Sequence, residues 1–107
     1  MANTLKWERL RDELYSIGMT EKVYYNPSTS IRMSYPCFRF NENNTYSIRA
    51  DNKNYLNTRR WTIIYITSNE EEVEVVINKM LGYFSMCNNE TVYKSDNLVH
   101  IVFNLYY

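Results

Sequence analysis

The sequence predicts an α+β fold, a mostly antiparallel β-sheet with two helices packed on one of its faces. Three observations lead there. Apolar residues recur at helical spacing in only two places. Most of the remaining chain alternates, or runs β-branched and aromatic. Two helices are too few to cover both faces of a doubly wound parallel sheet. At 107 residues the chain is long enough for one domain, residues 1–107, and too short for two independent cores.

The first helix is amphipathic. Thr4 suits its N-cap, and Leu5, Trp7, Leu10, Leu14 and Ile17 recur at helical spacing. Lys6, Glu8, Arg9, Arg11, Asp12 and Glu13 make its solvated side. Gly18 follows where a left-handed residue closes a helix. A strand is expected over Met19–Tyr25, stopped by Asn26-Pro27. A short apolar strand over Cys37–Phe40 enters through Tyr35-Pro36, and Thr45–Arg49 follows an Asn-rich turn at Asn41–Asn44. Arg60–Thr67, RWTIIYIT, is the strongest strand signal, apolar enough for the centre of the sheet.

The second helix is expected to open on a Ser68–Glu71 capping box, with Glu70, Glu71, Glu72 and Glu74 at the positive end of its dipole. Val73, Val76, Ile77, Met80 and Leu81 form its buried stripe, and Gly82 ends it. Tyr83–Cys87 and Thr91–Lys94 read as strands around a turn at Asn88-Asn89-Glu90. In the closing segment Leu98–Tyr107, Val99, Ile101, Phe103, Leu105 and Tyr107 face one way and His100, Val102, Asn104 and Tyr106 the other. Pro27–Tyr35 and Ala50–Thr58 lack a period and read as exposed loops that find order against a partner.

Composition excludes several function classes. Hydrophobic content is 45% with two Gly and two Pro, against disorder or a collagenous chain. The formal net charge is zero, against a free-standing non-specific nucleic-acid binder. No signal segment and no membrane-length apolar run occurs, so the reading is a cytoplasmic protein with Cys37 and Cys87 reduced and buried. Eleven tyrosines suit half-buried sheet faces and interfaces.

The search for chemistry yields no catalytic, metal or cofactor site. The single histidine, His100, lies in a strand, and nothing in the spacing pairs it with Cys37 or Cys87. Two distant cysteines and one histidine make no ligand set, and no phosphate-cradling loop or nucleophile elbow occurs. Glu70–Glu74 reads as a solvated helix start. Charge, however, is unevenly spread. Residues 1–60 carry ten Lys/Arg against six acids, and residues 61–107 carry two against six. The split admits three readings: solvated loops and edges, a basic surface meeting an acidic one on a neighbouring copy, or nucleic-acid contact with Tyr46 and Tyr55 among the basic residues.

One pattern is more specific. VYYNPS at Val23–Ser28 precedes YPCFRF at Tyr35–Phe40. ADNKNYLNTRRWTIIYIT follows at Ala50–Thr67, and the chain closes with SDNLVHIVFNLYY at Ser95–Tyr107. Over residues 20–107 this resembles the small neck and tail-completion proteins of long-tailed bacteriophages, of the tail-terminator type. Asn54 stands where that family's loop carries proline, and the second helix lacks the family's Asp-Pro-type turn. The resemblance implies a tail-terminator-like fold and a structural virion protein, not an enzyme. It implies assembly in the host cytoplasm and a place at the tail and neck of the virion. It implies a homo-oligomer, commonly a hexameric ring, that stops growth of the tail-tube protein and meets a neck or head-completion protein. It implies DNA only as passing through the ring lumen, and no membrane partner. A head–tail adaptor or stopper ring of the same neck is the alternative, and a small binding module outside the virion is a second class. A ring closes only through a heterologous contact. The expected basic side is Arg49, Lys53, Arg59 and Arg60 with Tyr55 as aromatic anchor, and the expected acidic side is Glu70, Glu71 and Glu72.

Overall fold

A computed structural model of the chain describes residues 6–27, 32–43 and 59–107. Within them the order is α1 (Lys6–Ile17), β1 (Val23–Tyr25), β2 (Cys37–Glu42), β3 (Arg60–Thr67), α2 (Glu72–Tyr83), β4 (Cys87–Ser95) and β5 (Leu98–Tyr106). The five strands form one sheet in the order β1-β2-β3-β5-β4. Every pairing is antiparallel except β1 with β2, which is parallel. The fold is therefore α+β, and β3 holds the centre as its apolar sequence predicts. The predicted strand Thr45–Arg49 lies outside the described residues, as do Thr4 and Leu5.

Strand register explains the core. Phe38, Phe40, Trp61, Ile63, Tyr65, Val99, Ile101, Phe103 and Leu105 occupy one set of alternating positions and are all buried. They form a single cluster with Leu10, Leu14 and Ile17 of α1 and with Val76 and Met80 of α2. This is the core face. The alternation read over Leu98–Tyr107 is thus correct for Val99, Ile101, Phe103 and Leu105, with Tyr107 packed at the margin. α1 lies alongside β1, and α2 alongside β4, so the helices accompany the two outer strands. Trp7 stacks on Tyr25 at 4.7 Å and 7°, clamping α1 to the β1 edge.

Several local expectations are corrected. The strand expected over Met19–Tyr25 shortens to Val23–Tyr25. Ahead of it, the Thr20 hydroxyl accepts from the Lys22 N–H and donates to the Pro36 carbonyl, which holds a bend. β2 runs on through Asn41 and Glu42, because they pair with Thr62 and Trp61, so no turn begins at Asn41. The Ser68–Glu71 capping box does not form. Glu71 is itself the N-cap residue without a side-chain cap, and the Asn69 side chain accepts the Glu71 N–H at 2.9 Å. Gly82 lies inside α2, which ends one residue later when Phe84 turns extended. Leu81 is 43% exposed and so leaves the predicted stripe, and Cys87 is only half-buried, whereas Cys37 is fully buried.

The largest correction concerns β4. Tyr83 belongs to α2, and Asn88-Asn89-Glu90 is not a turn but the strand itself. A bulge between Asn89 and Thr91 leaves Glu90 as the extra residue. The turn sits instead at Asp96-Asn97, whose φ values of 55° and 63° are those of a two-residue hairpin loop matched to strand twist. Gly18, at φ 83°, does close α1 as its position predicts.

Candidate interaction surface

The sequence-predicted interface residues divide three ways. Arg49, Lys53 and Tyr55 lie outside the described residues. Arg59 and Arg60 stand at the start of β3. The Arg59 guanidinium reaches both Glu42 oxygens, at 3.2 and 3.3 Å, and remains 55% exposed, so the pair contributes little to stability. Arg60 donates to the Asn104 side chain at 3.5 Å. The acidic residues follow the other end of the same strand, about 26 Å away by the rise of an eight-residue strand. The structure therefore does not bring the two clusters together; it places them at opposite ends of β3.

Among the acids, roles differ. Glu70 pairs with Lys94 of β4, and both side chains are mostly exposed. Glu71 is exposed. Glu72 turns inward, and its carboxylate accepts from the Thr67 hydroxyl at 2.7 Å and the Tyr65 hydroxyl at 2.9 Å. Burial, then the hydrogen bond to Glu72, pushes the Tyr65 phenol well above its ordinary value. Glu72 thus ties the start of α2 to the end of β3.

A second tie joins the helices to the C-terminus. The Tyr83 hydroxyl donates to Glu13 at 2.5 Å and the Tyr107 hydroxyl to the other Glu13 oxygen at 3.2 Å. The bond to Glu13 raises the Tyr83 phenol, and burial followed by the Glu13 charge raises that of Tyr107. Lys6 donates to the Tyr107 carbonyl at 3.1 Å, and burial, with Arg59 and Arg9 nearby, lowers its amine.

The second face of the sheet carries Arg39, Ile64, Val102 and Thr91 in one row, with His100 and Tyr93 in the next. His100 stacks flat on Tyr93, at 4.7 Å and 1°. Burial pushes both thiols up to about 11, Cys37 and Cys87 alike, which leaves them weak nucleophiles at neutral pH. Among the described residues no group of three His, Cys, Asp or Glu converges on a point, and no helix is long and apolar enough to cross a membrane.

What the topology does assemble is a pair of unlike flanks. At the β1 flank, Trp7, Arg11, Tyr15, Tyr24, Tyr25 and Pro27 line an open groove of about 380 Å³ between α1 and β1. Arg11 lies over the Trp7 ring at 5.3 Å, a cation–π contact. At the β4 flank, Leu81, Met86 and Val92 are exposed by 43%, 54% and 41%. Sheet order gathers the acidic part of the sequence on one side and leaves the other nearly balanced. Residues 6–43, which build the β1 side, carry six Lys/Arg against five acids, whereas residues 68–107, which build the β4 side, carry two against six. Sequence reasoning missed these flanks, although one signal was visible: Trp7, Arg11 and Tyr15 recur at i, i+4 and i+8, a stripe down one side of α1.

Compared with protein-family models, curated proteins and solved structures, the chain matches none.

Proposed function

We propose that this chain is a structural ring subunit of the neck of a long-tailed bacteriophage, acting as the tail terminator that caps the head-proximal end of the tail tube. The observation that carries the reading is the pair of unlike flanks. A subunit with an acidic, knobbed side and an aromatic, grooved side joins copies head to tail, and a head-to-tail contact is the kind that closes a ring. The motif positions are consistent with it: Tyr35-Pro36 enters β2, RWTIIYIT is the whole of β3, and Asp96-Asn97-Leu98-Val99-His100 forms the β4–β5 turn and opens β5. Such a subunit works by geometry, offering one rim to the last tube ring and the other to the neck.

Deleting the gene tests the proposal. A terminator deletion yields DNA-filled heads with overlong or unjoined tails. Normal-length tails joined to heads would sink the reading. Normal-length tails left unattached would assign the chain to an adaptor or stopper ring instead.

A further inference from the structure

We draw no further inference here: the strongest candidate, the free edge of β4, where Val92 and Tyr93 stand 41% and 45% exposed, carries nothing because nothing in the structure shows what covers it.

Discussion

Replacing Phe103 by Ala tests the whole placement of the core. Phe103 is fully buried on β5, pairs with Ile63 of β3 on one side and Asn89 of β4 on the other, and belongs to the cluster that includes both helices. A phenylalanine side chain buries on the order of 200 Å², and at about 25 cal/mol per Å² this corresponds to about 5 kcal/mol. That figure is an upper bound, because the unfolded chain already shields part of the ring. Truncation leaves a cavity between rigid strands that cannot collapse, so the expected loss is about 3–5 kcal/mol. A domain of this size has about 5–15 kcal/mol in total, so the variant should melt about 12–20 °C below wild type. The assay is a thermal and urea melt followed by circular dichroism, with His100→Gln as control. His100 is half-exposed on the second face and should change the midpoint little. A Phe103→Ala midpoint equal to wild type, or a control that falls as far, would refute the assignment of faces.

Three further outcomes follow from the same contacts. Glu72→Ala strands the hydroxyls of Tyr65 and the buried Thr67 and should cost about 1–3 kcal/mol in a urea titration, whereas Glu72→Gln keeps an acceptor and should cost less. Tyr65 has a folded-state phenol pKa raised above its unfolded value, so its stabilising contribution is intact below about pH 10 and is lost as pH rises beyond that; the urea midpoint should fall in strong alkali, and less steeply in Tyr65→Phe. Asn97→Gly should keep or raise stability, and Asn97→Val should lower it by about 1 kcal/mol or more, because φ 63° suits glycine and strains a β-branched residue; a thermal melt of the pair distinguishes them, and equal midpoints would refute the turn geometry.

Where a pattern was local, the sequence by itself determined the element. The stripe of Leu10, Leu14 and Ile17 with Gly18 behind it specifies α1, because helical spacing and a left-handed stop are properties of neighbours in the chain. RWTIIYIT specifies a central strand, because residues apolar at almost every position fit only where both faces are covered or flanked. The alternation of Leu98–Tyr107 names its own buried side for the same reason. Where the outcome depended on distant partners, local reading failed. Asn88-Asn89-Glu90 carries turn residues, yet β5 supplies ladder partners for Asn88 and Asn89 and a bulge absorbs Glu90, so tertiary pairing overrides the turn propensity. Glu72 looked like one more solvated acid, and only the end of β3 folding back beside α2 presents it with two hydroxyls. Arg59 and Arg60 on one side and Glu70–Glu72 on the other read in the sequence as two surfaces that meet between copies, and strand geometry sets them at opposite ends of β3 within one copy. The charge split was legible in the sequence; which surfaces it separates was not. Strand order decides that, since β1 and β2 close one side of the sheet and β4 the other, and strand order is set by which faces can be buried together across the whole chain.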